Sequence, residues 1–197
     1  MTSAPLDLLP KLTALAERAG ALILEHYRDE VAVRAKADAS PVTAADEAAE
    51  ALILEGLREL APDLPAVAEE MVAGGRVPTL DHRPFWLVDP LDGTKEFLSK
   101  NGEFTVNIAL IEGAVPVLGV VLAPAKGLLW WGVQGHGAYA RVAGASRQIQ
   151  ARPRPAAGLV AVASRSHADA ETEAWLDQAG ATERISAGSS LKFCLIA

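Results

Sequence analysis

The chain of 197 residues has a single cysteine, Cys194. One thiol excludes an intrachain disulfide framework and fits a reducing, cytoplasmic compartment. Cys194 lies in the run Leu-Lys-Phe-Cys-Leu-Ile, which reads as a small buried apolar residue in preference to a nucleophile. Basic residues are also scarce: 18 Lys and Arg stand against 25 Asp and Glu, a formal net charge of −7. Such a balance argues against a general nucleic-acid surface, which needs a basic face. An anionic substrate stays admissible, because bound metal reverses the local field. No apolar run approaches the roughly 20 residues that span a bilayer, and the N-terminus lacks the basic and apolar segments of a signal peptide. These absences predict a soluble protein. What is present is apolar mass: half of the residues are hydrophobic, enough for one large domain or two small lobes.

Helical spacing of Leu8, Leu12, Leu15, Ala19, Leu22, Ile23 and Tyr27 predicts an amphipathic helix over 8–28. Residues 31–39 read as a short strand and polar loop. A second helix is expected over 43–60, where Thr43 and Asp46 resemble a capping box. Pro65–Ala68 reads as a strand delivering Glu69, and Met71–Pro84 as a loop rich in Gly and Pro. From Phe104 the texture becomes that of an antiparallel meander, with strands at 104–111, 115–122, 128–133 and 138–142. Residues 144–157 are the best linker candidate. A strand at 159–164, a helix at 169–179 and a helix beginning near Leu191 follow. The expected domains are an N-terminal α+β lobe at 1–143, the linker, and the beginning of a C-terminal α/β lobe at 158–197.

The stretch Trp86-Leu-Val-Asp-Pro-Leu-Asp-Gly-Thr-Lys-Glu-Phe97 carries the chemistry. A short apolar run meets a turn with two carboxylates, Asp89 and Asp92, while Glu69-Glu70 lies upstream. Magnesium takes oxygen ligands and completes its shell with water and substrate phosphate. Asp89, Asp92 and the Leu91 carbonyl are candidate ligands. Gly93 permits close backbone approach, and the amides of Gly93 and Thr94 at a helix start suit an anion. The plain alternative is a surface turn, since Asp, Pro and Gly favour turns.

Glu69-Glu70, Trp86–Thr94 and Gly188–Lys192 resemble the magnesium-dependent, lithium-sensitive phosphatases of the inositol monophosphatase superfamily. Lys36–Asp46, Thr94–Phe97, Asn101–Ala109, Ser164–Asp169 and Gly188–Cys194 narrow the likeness to the CysQ-type 3′(2′),5′-bisphosphate nucleotidases. The resemblance runs from the first helix to the last residue. It implies a layered αβαβα sandwich of the sugar-phosphatase type, two or three Mg²⁺ ions, and a small nucleotide bisphosphate as substrate. Glu69, Asp89 and the Leu91 carbonyl would hold one ion, and Asp89 and Asp92 a second. Thr94 with Asp46 or Glu69 would orient and deprotonate the attacking water. Glu69, Leu91, Asp92, Gly93, Thr94, Lys95, Arg165, His167, Gly188, Ser189, Ser190 and Lys192 would contact substrate.

Several of these residues have plain readings. Asp46 can serve only the positive end of its helix, and Lys36 and Lys95 can be solvated surface charges. Trp130-Trp131 and Phe104 read as packing, and His26, His82 and His136 lack metal-ligand spacing. The family's last ligand sits in a Trp-Asp motif that does not occur before Ala197, so the second lobe is expected to be incomplete here. The leading expectation is removal of the 3′-phosphate of adenosine 3′,5′-bisphosphate, giving AMP, in a role of nucleotide recycling during sulfur assimilation. An inositol monophosphatase-type sugar phosphatase is the runner-up. A catalytically silent metal- or nucleotide-binding fragment is the alternative of another class. The resemblance also admits peripheral association with the inner membrane and a homo-oligomer.

Overall fold

The computed structural model describes residues 5–28, 33–35, 41–165 and 169–197. Its first layer is a helix pair. Helix α1 (Pro5–Arg28) buries Leu8, Leu12, Leu15, Ala19 and Ile23, and helix α2 (Ala44–Leu60) buries Ala45, Ala49, Ile53 and Leu57. Both stripes recur at three- and four-residue intervals, the period of one helix face. The helices lie so close that a Cβ at Gly56 would stand 2.5 Å from Leu15 Cδ1. The expected capping box at the start of α2 is present, with Thr43 as N-cap and Asp46 as its reciprocal partner.

The second layer is a seven-stranded sheet. It comprises β3 (Ala66–Ala68), β4 (Phe85–Asp92), β5 (Thr105–Glu112), β6 (Val115–Ala123), β7 (Leu128–Val133), β8 (Gly137–Val142) and β9 (Ala145–Ile149), paired in that order. All neighbours are antiparallel except β3 and β4, which are parallel. Trp86, Val88, Ile108, Leu110, Leu118 and Val120 alternate along their strands and join the helix pair in one core, as a half-buried sheet requires.

Several features depart from the expected elements, among them the expected turn at Asp89–Asp92, which is the irregular end of strand β4. The segment 144–157 opens with β9, which extends the sheet, so irregular chain begins after it. Thr43 closes a small hairpin of β1 (Val33–Ala35) and β2 (Pro41–Thr43). The loop expected from Met71 is helical at its start, because α3 (Glu69–Ala73) follows β3 without a break. Lys36 lies outside the described residues.

After β9 the chain forms β10 (Leu159–Ser164), α5 (Ala170–Gln178), β11 (Ala181–Ala187) and α6 (Leu191–Ile196), with β10 and β11 pairing in parallel as a separate two-stranded sheet. A short helix, α4 (Thr94–Leu98), connects the end of β4 to β5. Phe97 and Phe104 flank the α4–β5 loop and, with Tyr27 of α1, form a cluster with ring centroids 4.9–5.2 Å apart. Tilted and edge-on pairs of this kind add to simple area burial. They fix the loop that follows the acidic motif.

Candidate active site

The register of the sheet assembles the acidic centre. In the parallel pair, Ala68 lies opposite Val88, so the next residues stand side by side, Glu69 just past the end of β3 and Asp89 inside β4. In the antiparallel pair, Asp89 faces Asn107 and Asp92 faces Thr105, with a register shift between them. Residues three apart on a regular strand point to opposite faces. The extra residue on β4 returns Asp92 to the face of Asp89. Pro90 sits inside this irregularity, where no ladder donor is needed.

The electrostatic consequence falls on Asp89. Burial first, then repulsion from Glu69 and Asp92, pushes its carboxyl up to about 8. Asp89 Oδ1 is buried without a hydrogen-bond partner, whereas the Leu91 backbone N–H donates to the carboxylate. Burial also raises Asp92, opposed by the Ser190 amide and the nearby Lys192 ammonium. A bare carboxylate oxygen among like charges, with oxygen donors throughout, fits a hard divalent cation. Among the described residues, no three His, Cys, Asp or Glu side chains converge closely enough to enclose an ion unaided.

Asp46 caps its helix and also reaches Thr94. Its Oδ2 accepts from the Thr43 amide at 2.8 Å and the Thr43 hydroxyl at 2.5 Å. Its Oδ1 accepts from Thr94 Oγ1 at 3.4 Å, a loose contact of a sort that tightens when substrate binds. Thr94 opens α4 after Gly93, whose φ of 93° is left-handed. A side chain there would be strained and would also meet Ser189 Cβ at 3.1 Å.

The Gly188–Ser190 turn, between β11 and α6, reaches this centre. The Ser190 amide donates to Asp92 Oδ2 at 2.5 Å, and its hydroxyl donates to Asn107 Oδ1 at 2.6 Å. Ser190 Oγ also lies 2.8 Å from Thr105 Oγ1. Lys192 Nζ folds back onto the Ser189 carbonyl at 2.6 Å. Gly188 has no room for a side chain, since a Cβ would stand 2.3 Å from Glu96 Cγ.

Two candidate contacts lie elsewhere. Lys95 is exposed on the outer side of α4. Arg165 forms a two-pronged pair with Glu103, Nε to Oε2 at 3.1 Å and Nη2 to Oε1 at 3.2 Å. His167 lies outside the described residues. Cys194 is pushed up to about 12 by burial, in keeping with an inert thiol.

Sequence reading missed five supporting residues. Glu50, on the buried side of α2 one turn after Asp46, accepts from the Glu70 amide at 2.7 Å and so fixes the turn that bears Glu69. Its carboxyl is raised by burial, against the pull of the Glu70 and Met71 amides. Thr105 and Asn107 alternate along β5 beside the aspartates. Glu96 is buried against Gly188, and Glu103 grips Arg165. Period-two spacing on β5 was an available signal for the first pair. Nothing local distinguishes the glutamates from surface charges.

On the far side of the sheet from the helices, a cleft of about 510 Å³ opens beside Glu69 and Asp89, walled by Val67, Leu87, Ala109 and Val121. Acidic groups thus stand at the mouth of an apolar hollow.

The architecture is thus a seven-stranded sheet under a helix pair, with carboxylates gathered near the ends of β3 and β4. The model of the inositol monophosphatase family matches residues 7–197, and the chain belongs to that family. Within it, the chain is 49% identical over 193 residues to the 3′(2′),5′-bisphosphate nucleotidase CysQ of Escherichia coli strain K12, covering 96% of this chain and 76% of that protein. The CysQ of Buchnera aphidicola is 40% identical over 192 residues, covering 96% and 71%. Among solved structures, CysQ from Bacteroides thetaiotaomicron superposes with a TM-score of 0.72 at 37% identity, over 95% of this chain and 74% of that one. These relatives bear out the inositol monophosphatase-like architecture and a phosphoric monoester hydrolase. No helix among the described residues is long and apolar enough to cross a membrane.

Proposed function

We propose that this protein is a magnesium-dependent phosphatase that hydrolyses the 3′-phosphate of adenosine 3′,5′-bisphosphate to give AMP and phosphate. The observation that carries the reading is the meeting of Glu69, Asp89 and Asp92 with the Thr94–Asp46 pair, in a chain 49% identical to a 3′(2′),5′-bisphosphate nucleotidase. Glu69, Asp89, Asp92 and the Leu91 carbonyl are the groups that would hold two or three Mg²⁺ ions. When bound, the metal supplies Lewis-acid charge stabilisation to the phosphoryl oxygens.

The remaining work belongs to the chain. Thr94 donates a hydrogen bond to Asp46 Oδ1, so the lone pairs of Thr94 Oγ1 face outward and accept from a water set in line with phosphorus. As that water attacks, its proton passes to Thr94 Oγ1 while Thr94 passes its own hydroxyl proton to Asp46 Oδ1, the carboxylate oxygen not already engaged by Thr43. The Gly93 and Thr94 amides at the start of α4 face the phosphoryl group. Gly188, Ser189, Ser190 and Lys192 border the nucleotide, with Arg165 and Lys95 placed further out to meet its second phosphate. The reading carries with it a cytoplasmic setting and a small-molecule substrate.

The test is phosphate release from adenosine 3′,5′-bisphosphate and from inositol 1-phosphate, each with Mg²⁺ and with EDTA. Mg²⁺-dependent release favouring the nucleotide is expected. Faster release from inositol 1-phosphate would transfer the reading to the sugar phosphatases. Calorimetric binding of nucleotide with no release would replace the enzyme by a silent binding module.

A further inference from the structure

Glu103 lies between α4 and β5, on the first lobe, yet the hydrogen bonds its carboxylate accepts come from the second. Oε2 accepts from the Gly188 amide at 2.9 Å and from Arg165 Nε at 3.1 Å, and Oε1 accepts from Arg165 Nη2 at 3.2 Å. Lys126 Nζ stands 3.9 Å from Oε1. Arg165 in turn donates to the Ser186 carbonyl at 2.9 Å, and its own amide donates to the Ala187 carbonyl at 3.1 Å. The backbone of Glu103 is itself anchored: its amide donates to Asn101 Oδ1 at 2.8 Å, and the next residue, Phe104, is fully buried.

The turn it holds contains a strained residue. Ser189 adopts a φ of 51°, a left-handed conformation disfavoured for a residue with a side chain. At one end, Ser190 is fixed to Asp92 and Asn107. At the other end, Gly188 is fixed to Glu103. The turn is thus stretched between the acidic centre and a carboxylate that takes no part in that centre, because the donors named above occupy both of its oxygens.

We propose that Glu103 is a positioning residue: it sets the Gly188–Ser190 turn, and Arg165 beside it, at the spacing from Asp92 that substrate binding requires. The assignment rests on the nucleotidase reading for its substrate and on geometry alone for the hold. A charge-assisted hydrogen bond contributes about 1.5–3 kcal/mol, and its loss at a substrate-binding turn corresponds to roughly 10–100-fold in KM.

The experiment compares wild type with Glu103→Ala and Glu103→Gln. Steady-state kinetics use adenosine 3′,5′-bisphosphate over a range of Mg²⁺, and hydrogen exchange follows residues 186–192 without substrate. Glu103→Ala is expected to raise KM about tenfold or more, to leave kcat within about threefold, and to leave the Mg²⁺ midpoint in place. Exchange at 186–190 should quicken. Glu103→Gln keeps an acceptor for the Gly188 amide, and KM should recover partway. A KM within about twofold of wild type in Glu103→Ala, or a fall in kcat together with a shifted Mg²⁺ midpoint, overturns the proposal. A wild-type protein inactive on the nucleotide sinks the functional reading instead. In that case the exchange arm decides alone: unchanged exchange in Glu103→Ala refutes the hold, and faster exchange upholds it.

Discussion

Removing the charge of Asp89 should stabilise the metal-free protein while it abolishes activity. In the folded chain the Asp89 carboxyl stands at about 8, against 3.8 for the free side chain, through burial and the proximity of Glu69 and Asp92. Between those two values the folded state binds more protons than the unfolded state, so stability falls as pH rises. Each pH unit in that window corresponds to about 1.4 kcal/mol, and from pH 5 to pH 8 the loss reaches at most about 4 kcal/mol. For a protein of this length, roughly 2–4 °C accompanies each kcal/mol, which places the fall in Tm near 10 °C. Asp89→Asn keeps the shape and deletes the titration. Its Tm in EDTA should therefore exceed that of wild type at pH 8, with less than half of the wild-type slope over pH 5–8. Asp92 and Glu50, whose carboxyls burial also raises, supply the residual slope. Mg²⁺ at about 100 times its Kd should stabilise wild type by about 2.7 kcal/mol and leave Asp89→Asn unmoved. Differential scanning fluorimetry with EDTA or Mg²⁺ measures all of this. A metal-free wild type whose Tm is flat from pH 5 to pH 8 would refute the reasoning.

Thr94→Ala should lower kcat by about 10²–10⁴, the range typical of lost proton-transfer assistance, with the Mg²⁺ midpoint unchanged; a loss under tenfold would remove Thr94 and Asp46 from the proton path. Asp92→Asn should abolish turnover and leave the far-UV circular dichroism spectrum intact, and retained activity would contradict its place in the acidic set. Gly188→Ala forces a Cβ to within 2.3 Å of Glu96 Cγ, so kcat/KM should drop at least tenfold; near-normal kinetics would show that the turn moves freely. Phe97→Ala, which empties the centre of the Tyr27–Phe104 cluster, should cost about 3–5 kcal/mol, read by urea unfolding. Lithium at millimolar concentration should inhibit, as family membership implies, and indifference would set this chain apart from its relatives.

The parts of the molecule legible in the sequence are those written in local period or local chemistry. The stripes of α1 and α2, the Thr43–Asp46 capping box and the meander from β5 to β8 follow from spacing and turn residues. Strand β9 was hidden because Ala145–Ile149 carries almost no apolar alternation, and its place comes from pairing with β8. The start of α3 was hidden because a tight strand-to-helix junction at Glu69 has no side-chain cap to announce it. At the centre, the type of each candidate ligand was readable but its neighbours were not. That Glu50 supports the Glu69 turn, or that Glu103 engages Arg165 across 62 residues of chain, depends on tertiary contacts with no local signature. Arg165, expected beside the nucleotide, is held by a carboxylate that the sequence did not single out.

The irregularity in β4 has a consequence for how this motif can change. On a flat strand, two carboxylates meant for one ion cluster would be separated by one residue, and three-residue spacing would place one of them among Trp86 and Val88 in the core. Here the separation is tolerable only because a residue is looped out around Pro90. Excising that single proline would leave Asp89 and Asp92 separated by one residue on a regular ladder, still on one face, yet would remove the looped-out backbone that carries the Leu91 carbonyl and the Leu91 N–H donated to Asp89. The length of this segment is therefore fixed more tightly than its composition. Drift should be accepted at Leu91 as another apolar residue sooner than any gain or loss of one position between Asp89 and Asp92.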